Sequence, residues 1–179
     1  MLRTVIILSL ATLFGASQCI TTESTTSSTK AVKTSQTFVS NDSLDFPDKV
    51  VKIEKTDTEW KAELSETDYY VLREHGTERA FTGSLLNNKK SGVYTCKACN
   101  LPLFASNTKF KSGTGWPSFW QPIDEKYVGE TVDKAYGMVR TEVHCNRCNG
   151  HLGHVFDDGP NPTGLRYCIN SVSLNFVEQ

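Results

Sequence analysis

The sequence predicts a mainly β domain built from antiparallel sheets, packed sheet on sheet or closed barrel-like, with short helices in front. From Phe81 onward the chain breaks into short segments punctuated by Gly, Pro, Asn and Asp, the texture of strands joined by tight turns. Helical spacing is confined to the stretch before that point. Two Cys-x-x-Cys pairs far apart in the chain add a third observation: a metal stapling distant hairpins of one fold.

The chain has 179 residues, enough for one domain and a tail. Arg3, an apolar run from Val5 to Phe14 and the small residues Gly15, Ala16 and Ser17 read as a secretory signal peptide over residues 1–19. Cleavage after Ser17 or Cys19 suits the small-residue preference equally, and secretion is the expected destination. The run is shorter than the roughly 20 apolar residues of a membrane span, so no stable membrane anchor is expected. Residues 20–45 are rich in Ser, Thr and Lys with little to bury, and read as a disordered linker. Asn41-Asp42-Ser43 is a glycosylation sequon that matters only in the secretory pathway. The folded domain is assigned to residues 46–179.

Within it, Thr56 or Thr58 caps a short helix carrying Trp60 and Leu64. Ser65-Glu66-Thr67-Asp68 then resembles a capping sequence ahead of Tyr69 and Leu72, with a stop at Gly76. Strands are expected at Val93–Cys96, Lys109–Phe110, Gly137–Val143, Leu165–Ile169 and Ser173–Phe176. Gly159-Pro160, Asn161-Pro162 and Thr163-Gly164 mark a connecting loop. No repeat is visible beyond the duplicated cysteine pair. The net charge of −1, without a basic stripe, gives no reason to expect nucleic acid.

Cys96, Cys99, Cys145 and Cys148 suit one tetrahedral Zn²⁺, each knuckle turning two thiolates to the ion. Asn100 and Asn149-Gly150 fit the tight turn after a knuckle. Cross-linked disulfides, or two redox-active pairs, are the competing readings in an oxidising compartment. A closed four-thiolate site has no position open to substrate, so the metal would be scaffold.

Cys168 has no local partner and lies near His151, His154 and Arg166 in sequence. It is therefore a candidate nucleophile, the alternative being a buried core thiol. Strand alternation puts Arg166, Cys168 and Asn170 on one face. There the guanidinium is expected to lower the thiol pKa, and Asn170 to orient a ligand or water. His151 and His154 are candidate general acids, or else cap the second knuckle or fill out a polar core. In Gly113-Thr114-Gly115-Trp116-Pro117-Ser118-Phe119, Trp116 either lines an apolar pocket or packs the core.

Together, Cys96-x-x-Cys99, Ser112 to Phe119, Cys145-x-x-Cys148, His151 to Phe156, Asp158-Gly159-Pro160 and Arg166 to Ser171 resemble the methionine-R-sulfoxide reductase B family. The resemblance spans about Trp60 to Phe176. It implies two antiparallel sheets in a barrel-like, β-tent arrangement with a structural zinc ion on the four paired cysteines. It also implies an oxidoreductase acting on the R epimer of methionine sulfoxide, in oxidised proteins or free. In that scheme Cys168 attacks the sulfoxide sulfur and is left as a sulfenic acid. His151 and His154 hold and protonate the departing oxygen, Trp116 receives the S-methyl group and Phe156 adds a second apolar wall. Arg166 supports the thiolate, and Asn170 fixes the polar network.

Many relatives place a resolving cysteine where this chain has Thr114. With the zinc cysteines occupied and Cys19 cleaved away, the expectation is a one-cysteine cycle, with thioredoxin, glutaredoxin or a small thiol as external reductant and the protein a monomer; a retained Cys19 on its linker is the alternative resolving thiol. The competing functions are a thiol-disulfide oxidoreductase using the Cys-x-x-Cys pairs and a non-enzymatic zinc-bound β module.

Overall fold

The computed structural model describes residues 44–179, so the expected signal peptide, nearly all of the linker, Cys19 and Asn41 lie outside the described residues. Helix α1 spans Asp57–Glu63 and α2 spans Glu66–Arg73. Thr56 caps α1 through a full capping box, its hydroxyl accepting from Glu59 N while the Glu59 carboxylate accepts from Thr56 N. Ser65 caps α2 by accepting from Asp68 N. Trp60, Val71 and Leu72 are buried, so the helices add their apolar faces to the domain core. Arg73 donates to the Cys148 carbonyl at 2.9 Å, tying α2 to the second cysteine knuckle. No helix among the described residues is long and apolar enough to cross a membrane.

Nine strands follow: β1 Gly92–Cys96, β2 Pro102–Ala105, β3 Lys109–Phe110, β4 Ser118–Phe119, β5 Val128–Asp133, β6 Arg140–Cys145, β7 His151–Phe156, β8 Arg166–Ile169 and β9 Leu174–Glu178. They form two antiparallel sheets, one ordered β2-β1-β9 and one ordered β3-β4-β8-β7-β6-β5. The expected mainly β class and antiparallel pairing therefore hold. Phe104 of the smaller sheet stacks on Phe119 of the larger at 4.5 Å, and Tyr94 meets the same ring edge-on at 4.9 Å. Offset and edge contacts of this kind are the favoured aromatic geometries, and here they lock one sheet to the other.

The sequence reading missed four strands and misplaced the start of one. β2 begins at a proline, β4 is two residues long, and β5 is largely exposed without a clean apolar alternation. β7 carries histidines and a glycine where a strand pattern would carry β-branched residues. Pairing with neighbours, not local propensity, makes these segments strands. β6 starts at Arg140 rather than Gly137, because residues Ala135–Gly137 form a 3₁₀ turn that Gly137 closes at φ 71°.

Candidate active site and metal centre

The two cysteine knuckles have the same backbone design. In the first, Asn100 N donates to the Cys96 carbonyl and Cys96 N to Leu101 O; in the second, Asn149 N donates to Cys145 O and Cys145 N to Gly150 O. Asn100 and Asn149 both sit at φ 57°, the left-handed conformation that asparagine tolerates better than most residues. The first knuckle joins β1 to β2 and the second joins β6 to β7, so the four thiols bring the two sheets together at one point.

The Cys96 and Cys148 sulfurs are 3.6 Å apart and those of Cys99 and Cys145 are 3.5 Å apart, with all four sulfurs within 4.8 Å of one another. Bonded disulfide sulfurs sit about 2.05 Å apart, so neither contact is a disulfide. Four sulfurs held about 2.3 Å from a tetrahedral ion lie about 3.8 Å from each other, which these separations fit. Hydrogen bonding to Cys145, Cys148 and Cys99, with burial, pushes the Cys96 thiol well up. A divalent cation would remove that penalty by binding the sulfurs as thiolates.

Cys168 sits on β8, paired across the sheet with His154 of β7 on one side and Ser118 of β4 on the other. Residues directly opposite in an antiparallel sheet share a face, so the thiol, the imidazole and the hydroxyl converge. Phe156 pairs with Arg166 in the same ladder, the guanidinium lying 4.3 Å from its ring centroid. Gly153 is required between Leu152 and His154, because a side chain there would collide with the Cys168 carbonyl.

A cavity of about 120 Å³ opens over the thiol. Of the residues expected from sequence, Cys168, His154, Trp116, Phe156 and Asn170 line it; Thr77, Arg140 and Gly153 line it too and were missed. His151 and Arg166 do not reach it. His151 is buried in a neighbouring cleft of about 510 Å³ that shares His154, Arg140 and Thr77 with the first. Strict alternation would put His151 and His154 on opposite faces. A register shift opposite Leu152 instead brings their ring centroids to 5.5 Å.

Each histidine is held by a carboxylate. His154 Nε2 faces Asp133 Oδ2 at 2.8 Å, and His151 Nδ1 faces Glu142 Oε1 at 2.7 Å. Asp133 also accepts from Arg140 and from Ala135 N, which with His154 holds its carboxyl below the usual range. Burial works to raise Glu142, but hydrogen bonds and charge from His151 and His75 win and hold it down. Burial lowers His154 against the opposing pull of Asp133, so its ring is neutral near pH 7.

The expected lowering of the Cys168 pKa is not what the geometry produces. Burial of the thiol raises it, outweighing the Thr114 hydroxyl, the Arg166 charge and Ser118, all of which act downward. The physical reason is that Arg166 is already committed: its Nε and Nη2 donate to the two Asp158 carboxylate oxygens at 2.7 and 2.9 Å. A neutralised guanidinium offers a thiolate less than a free one. Cys168 therefore rests as a thiol.

Asn170 was expected to orient a ligand or water. Its Oδ1 instead accepts from Glu78 N at 3.1 Å and its Nδ2 donates to Leu152 O at 3.0 Å, so the buried amide serves the scaffold. Glu78 was not anticipated. Its carbonyl accepts from Trp116 Nε1, and its carboxylate accepts from Ser171 N at 2.6 Å and Val172 N at 3.0 Å. A Gly-Thr-Glu triplet right after a helix stop is the one local signal that could have drawn attention to it. Thr114 Oγ1 contacts the Cys168 sulfur and belongs to a hydroxyl chain running through Ser112 to Ser118.

A model of the SelR domain family matches residues 64–178. A peptide methionine sulfoxide reductase MsrB from Thiobacillus denitrificans is 61% identical over 122 residues, covering 68% of this chain and 92% of its own. The protein of the same name from Leptospira interrogans is 54% identical over 128 residues, 72% of this chain and 98% of that one. Another, from Methanosarcina mazei, is 57% identical over 128 residues, 72% of this chain and 91% of its own. With its two sheets, its four-cysteine cluster and most of its length matched, this chain belongs to the methionine sulfoxide reductase B family.

Proposed function

We propose that the protein reduces the R epimer of methionine sulfoxide to methionine, using Cys168 as nucleophile. The observation that carries this is the small cavity in which a half-buried thiol faces a neutral histidine and two aromatic walls, Trp116 and Phe156. A sulfur-methyl group against an aromatic ring gains about 0.3–1.5 kcal/mol, which suits Trp116 to the S-methyl end of the substrate.

Because Cys168 rests protonated, it brings both the electron pair and the proton that the reaction consumes. His154 takes the thiol proton as Cys168 Sγ attacks the sulfoxide sulfur, and returns it to the oxygen as the sulfur–oxygen bond breaks. The oxygen ends on Cys168 as a sulfenic acid. Methionine leaves with its sulfur reduced by two electrons, and the cysteine sulfur is oxidised by two. His151, behind His154 and outside the cavity, supports this transfer from the second row, and Arg166 and Asn170 hold the face on which it occurs.

Restoring Cys168 takes two external thiols. The first displaces water from the sulfenic acid to form a mixed disulfide, and the second releases Cys168 as a thiol. Among the described residues Thr114 cannot do this and the four knuckle cysteines are engaged with one another; with Cys19 removed alongside the signal peptide, thioredoxin, glutaredoxin or a small thiol is the reductant. Cys96, Cys99, Cys145 and Cys148 hold one structural Zn²⁺, which supplies cross-linking of the sheets and takes no part in the chemistry.

The test is an assay of wild type and Cys168→Ser against the separated R and S epimers with dithiothreitol as reductant. Turnover of R alone, lost in the variant, is expected. Turnover of S alone, or an active variant, overturns the proposal.

A further inference from the structure

We infer that the cleft bounded by Phe81, Phe110, Trp116, Lys89 and Lys111 seats an extended acidic segment of the polypeptide that carries the methionine sulfoxide. This rests on the function proposed above and names the substrate class of that same site.

The cavity over Cys168, at about 120 Å³, falls well below the roughly 300–1,000 Å³ of sites that enclose a whole small ligand. It has room for the end of one side chain, and the rest of a substrate has to lie outside it. A second cleft, of about 600 Å³, has Trp116 as a wall in common with that cavity. Phe81, Leu86, Phe110, Trp116 and Pro117 give it apolar surface among asparagines, serines and lysines, and Phe81 stands 69% exposed at its edge. A ring so placed gains by being covered.

The charge of this cleft selects the occupant. Four lysines and no carboxylate line it. Lys109 is satisfied internally, donating to the Leu86 and Asn88 carbonyls, and Lys90 is paired with Glu178. Lys89 and Lys111 are exposed and have no acidic partner among the described residues. The other cleft beside the cavity sets Asp133 and Glu142 against Lys134 and Arg140, so it offers an acidic chain no excess of positive charge. Complementary charge at such a rim chiefly speeds and selects encounter, an effect that salt screens.

The experiment uses the full chain, dithiothreitol as reductant, and two peptides of equal length with methionine sulfoxide flanked by Asp and Glu or by Lys. Each kcat/KM is expressed relative to that for free methionine sulfoxide with the same preparation, so partial misfolding of a variant cancels. Wild type is expected to favour the acidic peptide about five- to tenfold at low salt, and to lose the preference near about 0.5 M salt. The double variant Lys89→Glu/Lys111→Glu should reverse it. Equal wild-type rates on the two peptides, with free substrate reduced, overturn the inference alone. The same assays are run with thioredoxin in place of dithiothreitol, and a charge-reversal effect seen only there assigns the surface to the reductant and also overturns the inference. Failure to reduce free and peptide-bound sulfoxide alike overturns the proposed function, and the inference with it.

Discussion

The hydroxyl oxygen of Thr114 lies 3.7 Å from the sulfur of Cys168. A side chain at this position is thus in direct reach of the reactive atom, and its chemistry determines whether the oxidised cysteine has an adjacent partner among the described residues.

Thr114→Cys is expected to convert the cycle from one cysteine to two. After one equivalent of methionine sulfoxide, wild type should show a sulfenic acid trappable by dimedone and no intramolecular disulfide. The variant should show, by peptide mapping, a disulfide between the introduced thiol and Cys168, with no trapped adduct. A wild-type disulfide involving Cys168 would contradict the one-cysteine cycle.

The raised Cys168 pKa has a defined sign. The thiol predominates at neutral pH, so alkylation by iodoacetamide should accelerate as pH rises toward and past the ordinary thiol value. Arg166 acts to lower that pKa, so Arg166→Met should move the alkaline limb of the profile to still higher pH. Thr114→Val should move it the same way, because the hydroxyl also favours the thiolate. A limb that moves down in either variant would show that the removed group does not favour the thiolate.

The two histidines should not be equivalent. His154 lines the cavity and His151 does not, so His154→Gln should cost roughly 10²-fold in kcat, the lower end of general acid–base catalysis. His151→Gln should cost less. Asp133→Asn removes a group that raises the His154 pKa, so the acid limb of the kcat profile should shift to lower pH. Equal losses in the two histidine variants would place His151 in contact with substrate.

Metal removal should act on the fold before it acts on chemistry. One zinc per chain is expected by elemental analysis, and chelation should abolish the near-ultraviolet circular dichroism together with activity. Cys96→Ser should lower the melting temperature and the zinc content. Cys168→Ser should leave zinc content at one. Loss of zinc without loss of tertiary signal would argue against a cross-link between the sheets.

How much of this was legible in the chain varies by element. The capped helices were, because capping is a local pattern: Thr56 and Ser65 each accept from a backbone N–H three residues on. The metal knuckles were, because two cysteines separated by two residues already define most of a binding turn. The strands β2, β4, β5 and β7 were not, because their hydrogen bonds come from segments remote in sequence. Arg140 and Thr77 were missed for the same reason, being recruited to the cavity by sheet order and by the chain leaving α2.

By itself the sequence determined the element types near its caps and turns, the family resemblance, and the residues that would be chemically active wherever they landed. The tertiary structure alone decided which of them meet. It placed His154 over the thiol and held His151 one ring behind, through a register shift that alternation could not foretell. It also outweighed the expected effect of Arg166. Proximity in sequence put a cation beside the thiol, but the fold partly buried that thiol and gave the guanidinium to Asp158. Charge type is a property of a residue, whereas the solvation and pairing that set its influence belong to the folded chain.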